Sequence, residues 1–277
     1  FFRRSFRQPL VNWGKSPQSH SLHLRILSLS GRFPRWKYPI CSGMTDRYRL
    51  HWVPDNASLV IRLALEEMGV AYDAMLVDRV SGAHKSAEYL QINPAGLIPA
   101  LETPDGPIFE TAAILLWLAD RHGKMAPAPD HPDRGAFLKY LFFASNTLHV
   151  AARMRFYPDQ YLGADTATHA TLRPHLQSEF CRHLDLLEAA YAAGDGGLVT
   201  YLSFVYVYVA CICRWCMLYP KDEAKNWCQI SRWPHLQAMA ERLEACDCTQ
   251  AAISAEGLGA SPFTNPVHPT PPEGRVM

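Results

Sequence analysis

The chain has 277 residues, with 27 Lys+Arg against 26 Asp+Glu and 48% hydrophobic residues, a composition that supports folded cores and excludes wholesale disorder. Its formal net charge of +1 excludes a whole-chain electrostatic footprint for nucleic acid. The charge is unevenly placed: residues 1–43 hold eight basic residues and no acid, which leaves 19 basic against 26 acidic residues and a mildly acidic body.

Residues 1–43 mix Pro, Ser, Arg and scattered aromatics without a sustained period, and Met44 is the first Met. They read either as an acid-poor transit peptide or as upstream sequence ahead of the true start. The missing initial Met favours the second. The segment is set apart as a disordered or non-native extension.

An ordered pattern begins after Met44. Tyr48 to Trp52 alternates apolar and polar and predicts a strand. Pro54-Asp55-Asn56 is a turn with helix-capping residues. Ser58 to Met68 predicts a mostly apolar helix closed by Gly69. Ala71 to Val77 predicts a second strand, and a short helix follows near Ala87–Gln91. Asn93 to Gly96 is a turn. Two short strands, Ile98 to Glu102 and Pro107 to Glu110, flank the Asp105-Gly106 turn, and Thr111 to Asp120 predicts a helix. The order strand, helix, strand, helix, strand, strand, helix is an α/β thioredoxin-like plan, placed at 44–124.

Met125 to Pro129 has the composition of a linker. Beyond it the pattern is helical only, at about 134–156, 168–193, 203–218, 234–245 and 248–256, giving an all-α domain at 132–257. Residues 258–277 are rich in Pro and small residues and read as a C-terminal tail. The longest apolar stretch, Leu198 to Cys213, is short for a membrane span and predicts a buried core helix, so no membrane role is expected.

Seven of the eight Cys fall after residue 180, without the framework of a small secreted domain, and read as reduced thiols in a cytoplasmic protein. Cys213-Arg214-Trp215-Cys216 matches C-x-x-C, and Cys246 and Cys248 lie further on. A redox C-x-x-C opens a helix after a strand, whereas this one lies late in an apolar helix. Packing is the expected role, with no metal.

The run Asn93-Pro94-Ala95-Gly96-Leu97-Ile98-Pro99-Ala100-Leu101, then Asp105-Gly106, then Glu110-Thr111, resembles the glutathione transferase family, whose pattern is N-P-x-G-x-[IV]-P-x-L, a D-G turn, and an acid followed by Ser/Thr. Pro54-Asp55-Asn56-Ala57-Ser58-Leu59 is similar to the bacterial beta-class stretch P-G-A-C-S-L, with Ala57 in place of the family's Cys. The likeness covers about residues 46–257; the helical half matches only in outline. It implies a thioredoxin-like domain followed by a helical domain, and an enzyme that activates the thiolate of glutathione for attack on small hydrophobic electrophiles, a detoxification chemistry.

The resemblance also implies site residues. Pro99 falls where the family has a cis-proline that presents the backbone of the preceding residue, Ile98, to the cysteinyl part of glutathione. Glu110 and Thr111 open a helix suited to the γ-glutamyl end: the carboxylate of Glu110 takes the ammonium, and the helix start with the Thr111 hydroxyl takes the carboxylate. Ser58, at the start of the first helix, is the expected donor to the thiolate, with Asn56 as rival and Tyr48 as the alternative if tyrosine chemistry applies. His149, in Leu148-His149, matches a beta-class His that reaches the glutathione site, and Met154 and Phe156 are expected to line the electrophile site. Glutathione is a co-substrate, no cofactor is implied, and a homodimer is expected. Two alternatives stand: a glutathione-dependent isomerase, lyase or dehalogenase on the same fold, or a non-enzymatic binding protein. Tyr206 replaces the Asp of the family's S/T-x-x-D capping box after Ser203, which predicts a weaker cap.

Overall fold

The computed structural model describes residues 47–195, 202–221 and 227–272. The whole of the 1–43 extension and residues 273–277 of the tail therefore lie outside the described residues.

The first half is a sheet domain. Its strands are β1 (Tyr48–Trp52), β2 (Tyr72–Leu76), β3 (Ala100–Thr103) and β4 (Gly106–Phe109), in the order β2-β1-β3-β4. β1 runs parallel to β2 and antiparallel to β3, and β3 runs antiparallel to β4. A parallel pair needs a crossover, and α1 (Ser58–Met68) supplies it. Gly69 ends α1 at φ 67°, where its amide bonds to the Glu66 carbonyl. α2 (Ala87–Ile92) leads into β3, and α3 (Thr111–His122) follows β4. Leu50, Leu59, Leu63, Leu101, Ile114 and Leu115 are fully buried between the sheet and its helices.

The second half is all helix: α4 (Arg134–Phe143), α5 (His149–Phe156), α6 (Asp159–Leu162), α7 (Thr166–Ala192), α8 (Phe204–Leu218), α9 (Pro234–Glu244) and α10 (Asp247–Glu256). Sequence periodicity predicts one continuous helix over 134–156. The structure instead inserts a π-helical turn at Ala144–Leu148 between α4 and α5, next to the cavities described below.

Every residue of α8 is buried, so it is the central helix of this half. No described helix is long and apolar enough to cross a membrane. Ser203 does cap α8, its hydroxyl accepting from the Tyr206 amide at 3.4 Å. Tyr206 does not supply the reciprocal arm of a capping box. Its hydroxyl instead donates to the Met239 carbonyl of α9, and the Arg242 guanidinium lies 5.6 Å from its ring. The residue that departs from the capping pattern thus ties α8 to α9.

Residues 258–272, in the stretch read as a tail, are irregular and are packed on the body. Leu258 and Phe263 are fully buried, and the Glu244 carboxylate accepts the amides of Phe263 (2.7 Å) and Thr264 (2.8 Å).

Candidate functional site

Two cavities of about 460 and 540 Å³ adjoin each other between the loops of the sheet domain and the helices α5 and α8. Both are lined by Ala57, Leu97, Ile98, His149 and Arg153, so they meet at Ile98 and the start of α1.

The larger cavity holds Ile98, Pro99, Glu110 and Thr111 together. The Ile98–Pro99 peptide is cis. Asn93 shapes the loop before it: its Nδ2 donates to the Leu97 carbonyl at 2.7 Å, and its Oδ1 accepts the Ala95 amide at 3.0 Å. Gly96 sits at φ +60°, and a Cβ there would come within 2.7 Å of Lys85 Nζ and 3.0 Å of the His84 carbonyl. The N-P-x-G spacing therefore reads as an Asn latch and a Gly that lets the turn at His84 and Lys85 close in. Glu110 turns the chain at φ 72° and opens α3, its carbonyl accepting the Ile114 amide at 3.0 Å. Its side chain is exposed, whereas Thr111 is buried.

His149 stands on the wall common to both cavities. Its Nδ1 lies 2.8 Å from the Tyr208 hydroxyl, and its ring centroid lies 5.4 Å from that of Trp215. Tyr208 is also hydrogen-bonded to the Thr111 side chain. A chain thus runs from the start of α3 through Tyr208 to His149. Burial, with a smaller push from Arg153, lowers His149 to about 4, so the imidazole is neutral at neutral pH. Which of Nδ1 and the Tyr208 hydroxyl donates is set by the tautomer of the ring. Sequence reasoning missed Tyr208 because its partner is fixed only by the packing of α8 on α3 and α5.

The smaller cavity is lined by Asn56, which the sequence named as the rival donor to the thiolate. The preferred donor, Ser58, lines neither cavity. It is fully buried, its hydroxyl donating to the Val53 carbonyl at 3.1 Å and accepting the Val53 amide at 3.2 Å. The expectation for Ser58 is corrected: its hydrogen-bonding capacity is used to staple the end of β1 to the start of α1. Tyr48 is also away from the cavities, with its hydroxyl 3.1 Å from His122 Nε2. On α5 the helical period decides the lining. His149, Arg153 and Phe156, at i, i+4 and i+7, share the cavity face, and Met154 does not line either cavity.

Asp55, beside Asn56, carries a role that the sequence did not reveal. It is 1% exposed and at φ 51°. Its Oδ1 accepts from Arg214 Nε (2.8 Å) and Trp215 Nε1 (3.0 Å); its Oδ2 accepts from Arg214 Nη2 (3.2 Å) and the Tyr219 hydroxyl (2.8 Å). Arg214 spends its other donors on the carbonyls of Leu258, Pro262 and Val267. The Asp55 amide donates to Glu256 Oε2 at 2.8 Å, and Glu256 Oε1 accepts from Arg62 Nε at 2.7 Å. Burial raises Glu256 to about 7 against the opposing pull of Arg62 and of that amide. This buried network fixes the loop ahead of α1 to α8, α10 and the C-terminal stretch.

The seven described cysteines are free thiols. Cys213 and Cys216 are buried in α8, and burial raises both thiols. Away from the cavities, Glu67, Cys246 and Cys248 bring their potential ligand atoms within 4.8 Å of one another.

Residues 48–120 match the family described as glutathione S-transferase, N-terminal domain. The chain is 31% identical over 105 residues to glutathione S-transferase F9 of Arabidopsis thaliana, covering 37% of this chain and 47% of that protein. It is 35% identical over 77 residues to maleylacetoacetate isomerase of Rhizobium meliloti, covering 28% of this chain and 36% of that protein. It thus matches less than half the length of these curated relatives. Among solved structures, a bacterial beta class glutathione S-transferase of Sphingomonas chungbukensis superposes with a TM-score of 0.61 at 26% identity, over 76% of this chain and 98% of that one.

Proposed function

We propose that the chain is a member of the glutathione transferase family that binds glutathione across the two cavities and conjugates it to small electrophiles. The observation that carries the reading is the meeting of both cavities at Ile98 and the start of α1. An extended tripeptide laid along Ile98 puts its γ-glutamyl end at Glu110 and the start of α3, and its thiol beside Asn56 and Ala57. Its second carboxylate then reaches the rim where Lys85 approaches Gly96.

Each group has a task. The amides and partial positive charge at the start of α3 suit the γ-glutamyl carboxylate, and Glu110 suits the ammonium. The Asn56 carboxamide and the start of α1 favour the thiolate, lowering the thiol from about 8.5. In the tautomer where Tyr208 donates to Nδ1, the neutral His149 offers its Nε2–H as a donor. The thiolate attacks an electrophile in the smaller cavity, against Phe156 and Trp215: the sulfur–carbon bond forms and the leaving group departs with its electron pair.

A homodimer is part of this reading, supported by the exposed apolar side chains Phe109, Phe142 and Val150. So is a cytoplasmic setting, supported by the free thiols, and a role in detoxification, supported by the conjugation chemistry itself. A glutathione-dependent isomerase is a second reading, favoured by the likeness to maleylacetoacetate isomerase.

Calorimetric titration of glutathione into wild type, Glu110→Ala and Thr111→Ala tests the binding mode. Loss of the Glu110 charge-assisted bond is expected to cost about 1.5–3 kcal/mol, and loss of Thr111 less. Unchanged affinity in both variants would remove the γ-glutamyl assignment. A product assay separates conjugation, which consumes the thiol, from isomerisation, which returns it.

A further inference from the structure

The smaller cavity is lined by four cationic side chains, Arg79, Lys85, Arg153 and Lys221. Among the described residues its only carboxylate is Asp55, and that group already accepts four hydrogen bonds from Arg214, Trp215 and Tyr219. Asp55 is therefore not available as a counter-charge to the wall.

Glutathione does not account for all of these cations. It brings two carboxylates and one ammonium. The ammonium is matched by Glu110, one carboxylate by the start of α3, and the other by Lys85 at the Gly96 turn. Arg79, Arg153 and Lys221 remain. Arg79 holds the Tyr157 hydroxyl, a neutral group, and none of the three forms an ion pair among the described residues. A concave site lined by one sign of charge focuses its potential and selects an occupant of the opposite sign. The same wall carries an aromatic cluster: the ring of Phe156 meets Tyr157 edge-on at 6.4 Å and Tyr219 at 6.3 Å.

We propose that the acceptor is a flat, unsaturated or aromatic electrophile bearing a carboxylate, held by Arg79, Arg153 and Lys221. This deepens the glutathione reading and rests on it. Arg153, which lines both cavities, holds the acceptor at the junction where the thiolate arrives. With an aryl halide, the sulfur–carbon bond forms and the halide leaves with the carbon–halogen pair. With an unsaturated acid, the sulfur adds at the β-carbon and the α-carbon takes a proton from water. The carboxylate does not react; it orients.

The test compares a chlorodinitrobenzoate with its methyl ester, each rate expressed relative to the uncatalysed reaction with glutathione. The full chain is expected to favour the acid in kcat/KM by at least about tenfold. Arg79→Gln, Arg153→Gln and Lys221→Gln are each expected to lower the acid-to-ester ratio several-fold, and added salt to lower it in wild type. A ratio at or below one in a wild type that binds glutathione and conjugates the ester overturns the carboxylate proposal alone. So does a ratio that all three variants leave unmoved. A wild type that binds no glutathione overturns both readings.

Discussion

At the residue scale, two neighbours at the start of α1 divide the labour that the sequence placed on one of them. Ser58 is bonded to both backbone groups of Val53, so Ser58→Ala leaves a buried amide and carbonyl unpaired. The expected result is a loss of about 1–3 kcal/mol in denaturant unfolding, with the thiol of bound glutathione titrating as in wild type. Asn56→Ala is expected to raise the thiol pKa in ultraviolet difference spectra, at about 1.4 kcal/mol per unit. A raised thiol pKa in Ser58→Ala with Asn56→Ala unaffected would return the donor role to Ser58. The type of residue at 58 is legible from the sequence; the direction of its hydroxyl is not, because the competing acceptor belongs to the end of β1. His149 teaches the same lesson. Its place on the wall follows from a motif, whereas its neutral state follows from burial beside Tyr208 and Trp215, which no spacing displays.

At the scale of elements, periodicity carries far. The strands around Tyr48–Trp52 and Tyr72–Leu76 and the long helices after Thr166 lie within one or two residues of where their patterns put them, whereas the short α6 (Asp159–Leu162), which buries no residue, has no pattern to announce it. The π-helical turn at Ala144–Leu148 has no such signature, since it keeps both flanking helices in one apolar stripe. The start of α8 is the sharper case. A capping pattern predicts that Tyr206 weakens the helix, whereas its hydroxyl reaches α9 and its ring is buried. Restoring the motif with Tyr206→Asp is therefore expected to destabilise the protein by about 3 kcal/mol, because it removes a buried aromatic and leaves a carboxylate in its place. Thermal unfolding decides the matter: a raised melting temperature would show that the cap outweighs the interhelical bond.

At the scale of the whole molecule, the buried charges couple stability to pH. Glu256 sits at about 7 in the fold, above its ordinary carboxylate value of 4.5, because burial outweighs the pull of Arg62. The fold therefore binds that proton more tightly than the unfolded chain does. The associated stability is complete below the unfolded value and is lost as pH rises through the folded one. Wild type is expected to lose stability relative to Glu256→Gln between about pH 4.5 and pH 7, read from denaturant midpoints across that range. A flat difference would show that Arg62 keeps Glu256 ionised throughout. The same network has a bearing on inheritance. Asp55 belongs to the sheet half by its place in the chain, yet the four bonds to its carboxylate come from residues after 213. Removing one partner of such a buried pair costs about 3–5 kcal/mol, because the other charge is stranded. The two halves are consequently not exchangeable parts. A chimaera that grafts this sheet half onto the helices of a relative has to carry Arg214 across with Asp55, and a lineage that changes either one is held to change both.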